Sequence, residues 1–221
     1  MAGRVEAVVF DVLETLLDLD PIGSRLQEVG QPASTLGPFF MRFQRDAMAL
    51  SLAGDNADFT RTARQALRTE TKQAMSDTEI DYVLEGFSAM PAFPDAAPAL
   101  KKLSEAGVTV GCLTVGDPEN TRSFLQGAGL DSYVDHVVTS DAVGVWKPAP
   151  DVYHYTAETL GCAMDHLALV AVHAWDCHGA MKAGALAGWC SRLEGEPGEI
   201  FLPAEVSGAD LVEVVDGLLA L

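Results

Sequence analysis

The chain has few cysteines, and the four that it has show no metal-binding or redox spacing. Cys112, Cys162, Cys177 and Cys190 are scattered along 221 residues, and no two of them form a CxxC pair. This distribution is typical of buried thiols in a reducing compartment rather than of disulfides or a zinc site. We therefore expect four free thiols and a cytoplasmic protein.

Basic residues are scarce as well, with 14 Lys and Arg against 32 Asp and Glu and a formal net charge of -18. Such a chain repels phosphate backbones, so we expect no nucleic acid partner. No apolar run approaches the roughly 20 residues that span a bilayer. The N-terminal residues also lack the apolar stretch and cleavage site of a signal peptide, so we expect no membrane partner.

What the chain does have is an alternation of strand-like and helix-like segments. Residues 5–10 (VEAVVF) form a largely apolar run that suits a central strand of a parallel sheet. Further strands are predicted over residues 108–113, 137–138 and 167–172. Helices are predicted over about 95–106 with Asp95 as the cap, from Asp117 as the cap of the next helix, from Asp151, and over about 177–187 and 208–221. This alternation predicts an α/β fold with a Rossmann-like parallel sheet.

Residues 18–90 break the alternation, because they read as consecutive helices with no strand pattern between them. Phe39, Phe43 and Ala47 recur at helical spacing, and Ser76 with Glu79 forms a capping-box pattern. The segment is too long for a crossover between two strands. We interpret it as a helical cap inserted into a core domain of residues 1–17 and 91–221, placed to close over a small substrate.

Polar residues follow three of the predicted strands. Asp11 follows the first strand, Thr114 ends the second and Asp176 follows the fourth, while Lys147 lies in a loop between them. The carboxyl ends of parallel strands meet at one edge of a sheet, where ligands bind. We expect the four side chains to converge there. Taken singly, Asp11, Thr114 and Asp176 are equally consistent with helix caps, and Lys147 with a solvated loop residue.

Taken in this order, the four residues resemble the four motifs of the haloacid dehalogenase (HAD) superfamily over nearly the whole chain. The segment 10–17 (FDVLETLL) is similar to the nucleophile motif of the type II haloacid dehalogenase branch, and Ala174-Trp175-Asp176 to its last motif. The resemblance implies that Asp11 displaces halide from a 2-haloalkanoic acid, a small anionic substrate. Water then hydrolyses the resulting aspartyl ester.

The chemistry of the four residues agrees with these roles. A carboxylate is a competent nucleophile only when it is desolvated and oriented, and the charge of Lys147 would keep Asp11 ionised. Thr114 would donate a hydrogen bond to the substrate carboxylate or to Asp11. Asp176 would orient Lys147 and help to position the hydrolytic water.

A leaving halide needs a positive or donor-rich site. Arg42, in the first cap helix, is the family-like candidate, because it lies on the flank of the apolar stripe whereas Arg45 lies nearly opposite that stripe. A solvated or ion-paired cap arginine is an equally good interpretation of Arg42. Trp175 and Phe59 are candidates for lining the apolar pocket, with core packing as the alternative.

The sequence departs from the dehalogenase pattern at five positions, which puts haloacid turnover in question. By resemblance, Leu13 replaces a tyrosine, Glu14 a glycine and Val115 an asparagine, while Ala171 and His173 replace a serine and an asparagine. Leu13 would then contact the substrate only through apolar atoms. His173 is a candidate to donate the missing hydrogen bond or to act as a base near neutral pH, with a structural histidine as the alternative.

Two other functions stay open. One is a Mg²⁺-dependent phosphatase of a small metabolite, and the other is a catalytically silent HAD-fold protein that binds a metabolite or a partner. HAD phosphatases place a second Asp where this chain has Leu13, and often an acidic residue where it has Val172. We therefore expect no metal and no cofactor. The resemblance also implies a homodimer that pairs through the cap.

Overall fold

The computed structural model describes residues 5–56, 58–115 and 118–221. Its centre is one parallel sheet of six strands in the order β3-β2-β1-β4-β5-β6. The strands are β1 (Ala7–Phe10), β2 (Thr109–Thr114), β3 (His136–Thr139), β4 (Leu167–Ala171), β5 (Leu186–Cys190) and β6 (Val206–Gly208). The Rossmann-like α/β fold expected from the sequence is confirmed.

The α-helices in the described ranges number nine. They are α1 (Asp20–Glu28), α2 (Leu36–Leu52), α3 (Phe59–Glu70), α4 (Asp77–Leu84), α5 (Ala96–Glu105), α6 (Pro118–Gly127), α7 (Pro150–Leu160), α8 (Ala174–Ala183) and α9 (Leu211–Leu219). The elements described between Asp20 and Ala89 are all helical. The division into a core and a cap at residues 17/18 and 90/91 stays a prediction. Asp117, the expected cap of α6, lies outside the described residues.

The first strand lies in the middle of the sheet because every side chain in it is buried. Val9 lies opposite Gly111 of β2 on one side and Leu169 of β4 on the other. The strand order reverses between β1 and β4, and the crevice beyond the carboxyl ends of strands at such a reversal is where open α/β sheets bind ligands. Asp11 lies in this crevice, immediately after β1.

Two strands, β5 and β6, lie where the sequence predicted helix or loop. The predicted helix over 177–187 is wrong at its end, because Gly184 adopts a left-handed conformation with φ +102° and stops α8. The chain then re-enters the sheet as β5. The predicted closing helix over 208–221 also begins too early. The edge strand β6 runs to Gly208, and α9 starts after Asp210, whose side chain caps it by accepting from the backbone N–H of Glu213.

Two local predictions had different outcomes. The capping box is confirmed: the Ser76 side chain accepts from the Glu79 backbone N–H, and the Glu79 carboxylate accepts from the Ser76 backbone N–H. Asp95 makes no cap hydrogen bond at the start of α5. Its Oδ2 accepts instead from Arg192 Nη1 at 2.7 Å and from the Leu211 backbone N–H at 2.8 Å. Asp95 therefore holds the start of α9 rather than the start of its own helix.

The expected thiol chemistry is confirmed, since all four cysteines are free. Three of them are buried, and burial raises the pKa of the Cys112 thiol to about 12. These thiols therefore behave as small core side chains at neutral pH. Among the helices described, none combines the length and the apolar character needed to cross a membrane.

Candidate active site

Asp11 lies at the centre of a buried polar cluster in the crevice beyond β1. Its backbone N–H continues the sheet by donating to Val170 O at 3.0 Å, which fixes the side chain at the carboxyl edge. Asp11 Oδ1 accepts from Lys147 Nζ at 2.7 Å, and Oδ2 accepts from Thr15 Oγ1 at 2.7 Å. Only 6% of Asp11 is exposed. The carboxylate is thus oriented and largely desolvated.

Lys147 links the two ends of the site. Its Nζ donates to Asp11 Oδ1, to Asp176 Oδ2 at 2.5 Å and to Leu113 O at 3.1 Å. Burial alone would favour the neutral amine, but the two carboxylates outweigh burial and raise the pKa of Lys147 above its usual value. Lys147 is therefore a permanent cation, and its three N–H donors are all in use.

Asp176 lies in the first turn of α8 and is fully buried. Its Oδ2 accepts from Lys147, and its Oδ1 accepts from the hydroxyl of Tyr153 at 2.6 Å. Burial raises the pKa of Asp176, and the nearby charge of Asp11 adds to this, while Lys147 and Tyr153 oppose it. Both carboxylate oxygens are engaged, so Asp176 supports Lys147 from the side away from Asp11.

The two cations that contact Asp11 favour its ionised form. Burial disfavours the carboxylate, but the positive charge of Lys147 and the neighbouring His173 outweigh burial and hold the pKa of Asp11 well below its usual value. Asp11 is therefore a carboxylate throughout the physiological pH range. A buried carboxylate with a fixed cation beside it is the arrangement that a carboxylate nucleophile requires.

His173 and Glu14 form a second pair next to Asp11. The Nε2 atom of His173 lies 2.9 Å from Glu14 Oε2, and its Nδ1 lies 3.4 Å from Asp11 Oδ2. Burial disfavours the imidazolium, but the negative charges of Asp11 and Glu14 outweigh burial and raise the pKa of His173 to about 10. Glu14 reaches this position with φ 68°, in the left-handed region that favours the glycine expected there by resemblance.

Three cavities surround the cluster. The innermost, about 30 Å³, lies against Asp11, Lys147 and His173. A cavity of about 100 Å³ lies on its Leu13 and Thr114 side, and a groove of about 630 Å³ leads outward past His173 and Trp175. The remaining walls of the innermost cavity come from both the sheet edge and α2: Leu13, Phe40, Phe43, Gln44, Met48, Thr114, Val115, Trp146 and Trp175.

The structure brings Asp11, Thr114, Lys147 and Asp176 together at one sheet edge, as expected from their positions after the strands. Leu13 and Thr114 line the inner cavity and the cavity beside it. Trp175 lines the inner cavity and the groove, with its ring centroid 6.0 Å from Lys147 Nζ. Phe59 lies farther out, on the wall of the 100 Å³ cavity, where its ring packs edge-on against Phe43.

Arg42 is not placed at the cleft, which corrects the expectation from helix geometry. Its Nε pairs with the Glu70 carboxylate of α3, and Arg42 lines none of the three cavities. The face of α2 that meets the cleft carries Phe40, Gln44 and Met48 instead. Arg45 lines the outer groove but pairs with its neighbour Asp46. The part of the inner cavity that the structure describes contains no arginine.

Two contacts of the site were not predicted from the sequence: that of Tyr153 with Asp176 and that of Glu14 with His173. Tyr153 lies on the buried face of α7, six residues after Lys147 in the sequence. The available signal was a tyrosine on the apolar face of the helix that follows Lys147. Among the departures from the family pattern, Val115 lines the inner cavity and Ala171 is a fully buried residue at the end of β4. Within residues 5–56, 58–115 and 118–221, no group of three or more His, Cys, Asp or Glu side chains could hold a metal ion.

Comparison with known proteins gives consistent matches. A family model described as haloacid dehalogenase-like hydrolase matches residues 5–184. The (S)-2-haloacid dehalogenase 4A of Burkholderia cepacia is 31% identical over 83% of this chain and 82% of its own. The (S)-2-haloacid dehalogenase 1 of Pseudomonas sp. (strain CBS-3) is 27% identical over 98% of each chain. A crystal structure of a dehalogenase with an intermediate complex superposes with a TM-score of 0.90 at 27% identity, covering 99% of both chains.

Proposed function

This chain belongs to the haloacid dehalogenase-like hydrolase family, and on that premise we propose that it is a metal-independent hydrolase of small 2-haloalkanoic acids. The observation that carries the proposal is the buried, ionised Asp11 with Lys147 at 2.7 Å. The two relatives named above are (S)-2-haloacid dehalogenases, so (S)-2-chloropropionate is the first substrate to test.

In the proposed reaction, an Asp11 oxygen attacks the carbon that bears the halogen, in line with the carbon–halogen bond. The new carbon–oxygen bond forms as halide leaves with the bonding electrons, and Asp11 becomes a neutral ester. Water then adds to the ester carbonyl carbon, and the hydroxy acid leaves as Asp11 is restored. Halide, hydroxy acid and one proton are the net products.

Some of the surrounding residues orient Asp11, and others supply positive charge or hydrogen-bond donors to the substrate. Lys147 and Thr15 hold the two Asp11 oxygens, and Asp176 with Tyr153 holds Lys147. The haloacid brings a negative charge into the crevice, where Lys147 and the His173 imidazolium are the nearby cations and Thr114 is a nearby donor. Walls such as Leu13 and Trp175 exclude bulk water, which strengthens these electrostatic interactions.

The alternative of a Mg²⁺-dependent phosphatase has less support from the donor atoms. Magnesium requires near-octahedral oxygen ligands. Leu13 offers no oxygen where a phosphatase has its second aspartate, and Asp176 already uses both oxygens on Lys147 and Tyr153. A magnesium ion at Asp176 would have to compete with Lys147 and Tyr153 for these oxygens. The donor set therefore favours a reaction that needs no metal.

A single turnover in ¹⁸O-water tests the covalent route. With enzyme in excess over (S)-2-chloropropionate, the ester mechanism labels Asp11 and leaves the lactate unlabelled, and peptide mass spectrometry detects the label. Direct attack by water on the substrate would label the lactate at once and leave Asp11 unlabelled, which would overturn the covalent proposal.

Parallel assays separate the competing functions. Halide and phosphate release are measured with magnesium and with chelator. Halide release that persists in chelator is the expected result. Phosphate release that depends on magnesium would favour the phosphatase, and the absence of both activities would favour the silent binding protein.

A further inference from the structure

Arg192 lies two residues after β5 and contacts the loop that carries the nucleophile. Its Nη2 donates to the backbone oxygen of Thr15 at 2.7 Å. Thr15 is fully buried, and among the residues that the structure describes no other group donates to this oxygen. A buried backbone carbonyl requires a hydrogen bond, so this part of the loop depends on Arg192.

Thr15 connects Arg192 with Asp11. The Thr15 hydroxyl donates to Asp11 Oδ2 at 2.7 Å and accepts from the Val172 backbone N–H at 3.2 Å. The side chain of Thr15 thus orients one oxygen of the nucleophile, while Arg192 holds the backbone oxygen of the same residue. A displacement of Thr15 would therefore move the donor that fixes Asp11 Oδ2.

Arg192 also contacts the segment by which the chain returns from the helices between Asp20 and Ala89. Its Nη1 donates to Asp95 Oδ2 at 2.7 Å, and its guanidinium carbon lies 4.0 Å from the centroid of the Phe93 ring. The Phe93 backbone N–H in turn donates to Leu16 O at 2.9 Å. The segments that lead into and out of the helices are therefore bonded to each other where Arg192 contacts both.

The geometry of the Arg192–Asp95 pair is not that of the strongest ion pair. Arginine and a carboxylate frequently pair through two parallel N–H···O bonds. Here Asp95 Oδ2 is shared between Arg192 and the Leu211 backbone N–H, while Arg192 Nε and Asp95 Oδ1 are buried without hydrogen-bond partners among the residues described. Unpaired buried polar atoms are costly. The guanidinium is instead oriented so that its Nη2 reaches Thr15.

We propose that Arg192 is a positioning residue that holds Asp11, through Thr15, in the geometry needed for in-line displacement of halide. The inference rests on the proposed function, since it concerns the first half of that reaction. Arg192 lines none of the three cavities around the cluster, so it acts on the nucleophile rather than on the substrate. Misplacement of a reacting group by about 1 Å can cost about 100-fold in rate, so a residue outside the cavities can control the chemical step.

The first experiment measures the chemical step in Arg192→Met, which removes the guanidinium but keeps an unbranched side chain next to Phe93. With saturating enzyme in excess over (S)-2-chloropropionate, the first-order rate constant of halide release should fall about 10- to 100-fold. This constant does not depend on the folded fraction as long as folded enzyme stays in excess, so a loss of stability alone would not change it. Substrate affinity should change little, because Arg192 does not line the cavities.

Two further variants complete this experiment. Arg122→Met is the matched control, because 48% of the Arg122 side chain is exposed and it pairs with Asp131; its rate constant should equal that of the unmodified enzyme. Arg192→Lys keeps the charge but lacks the planar fork that donates in two fixed directions, so it should slow halide release less than Arg192→Met. If Arg192→Met does not fold, Arg192→Lys decides.

The outcomes distinguish the inference from the proposed function. An unchanged rate constant in the folded Arg192 variants would overturn the positioning role while leaving the dehalogenase proposal intact. No halide release by the unmodified enzyme would overturn the proposed function, and the inference with it.

The second experiment follows the loop without turnover, by hydrogen exchange and mass spectrometry in the absence of substrate. The backbone N–H groups of Leu16 and Leu17 donate to Val12 O, and that of Phe93 donates to Leu16 O. In Arg192→Met these groups should exchange faster, while the buried strand β4 exchanges as in the unmodified protein. Unchanged exchange in the loop would overturn the inference. Equally faster exchange throughout the sheet would overturn it too, because Arg192 would then stabilise the fold as a whole.

Discussion

At the scale of single residues, Lys147 allows two buried carboxylates to share one site. Without it, Asp11 and Asp176 would face each other in a buried cluster with no cation between them. We expect Lys147→Met to lose halide release and to lower the free energy of unfolding at pH 7 by about 3 to 5 kcal/mol, the range for a buried ion pair that loses one partner. The loss should shrink in acid, where the carboxylates take up protons.

Chemical denaturation at several pH values measures this effect. Lys182→Met is the matched control, because Lys182 is exposed near the end of α8. It should change the unfolding free energy by no more than about 0.5 kcal/mol. Equal effects of the two substitutions would contradict the role assigned to Lys147.

Tyr153 has a narrower role, which is to satisfy Asp176. Tyr153→Phe removes the hydroxyl that donates to Asp176 Oδ1 and leaves a buried carboxylate oxygen without that donor. The expected cost is about 1 to 3 kcal/mol of unfolding free energy, together with slower halide release because Lys147 loses its support. Tyr155→Phe, on the same helix but more than one-third exposed, should be silent in both measurements. Equal stability of the two variants would count against the role of Tyr153.

At the scale of elements, α8 packs unusually close to the loop that carries Lys147. A Cβ atom added at Gly179 would lie 2.6 Å from both the Pro148 side chain and the Tyr153 hydroxyl. We expect Gly179→Ala to destabilise the fold by about 1 to 3 kcal/mol, as overpacking does. It should also reduce halide release, because the added methyl group would displace Tyr153, which donates to Asp176, and Pro148, which directly follows Lys147.

Gly37→Ala in α2 provides the helical control, since nothing lies within 4 Å of its added Cβ. It should leave stability unchanged or raise it by up to about 1 kcal/mol, the helix preference of alanine over glycine. Thermal unfolding with halide assays distinguishes the two substitutions. A stable, fully active Gly179→Ala protein would show that the close packing is not needed.

Elements were predictable from the sequence where one local signal dominated. The fully apolar β1 and the polar residues after β1, β2 and β4 identified the sheet edge. The strand β5 was missed because its short apolar run follows a helix directly, and only the backbone of Gly184 separates them. Arg42 was misplaced because its partner, Glu70, lies on another helix, which periodicity within α2 cannot show. The left-handed backbone of Glu14 could not be predicted from the glutamate itself, since that conformation costs a non-glycine residue about 1 kcal/mol or more. The available indication was the glycine that the family resemblance places at this position.

At the scale of the whole molecule, the buried charges make stability depend on pH in both directions. The His173 pKa is raised from 6.5 to about 10, so its stabilisation is fully present below pH 6.5 and is lost as pH rises through about 10. The Asp11 pKa is lowered from 3.8, so its stabilisation is present above pH 3.8 and is lost in stronger acid. The contribution of these two groups to the unfolding free energy should therefore be greatest between pH 3.8 and pH 6.5.

The predicted loss of stability above pH 6.5 can be tested directly. Between pH 6.5 and 10 the unfolding free energy of the unmodified protein should fall, relative to that of His173→Gln, by up to about 1.4 kcal/mol per pH unit, the value for one proton. Urea denaturation across this range measures the difference, and thiols and lysines common to both proteins cancel from it. Parallel pH curves for the two proteins would mean that His173 is not protonated in the fold.

The central position of β1 also determines when the site can form during synthesis, because the strands on either side of it come later in the chain. Asp11 leaves the ribosome before Lys147, which follows it by 136 residues, and β1 pairs with Leu167 of β4. Contacts of such long sequence separation form slowly, and domains of this size pass through partly folded states. The nascent chain therefore carries its nucleophile long before the cation that holds it, and the reactive site is assembled only after Lys147 and β4 have been made.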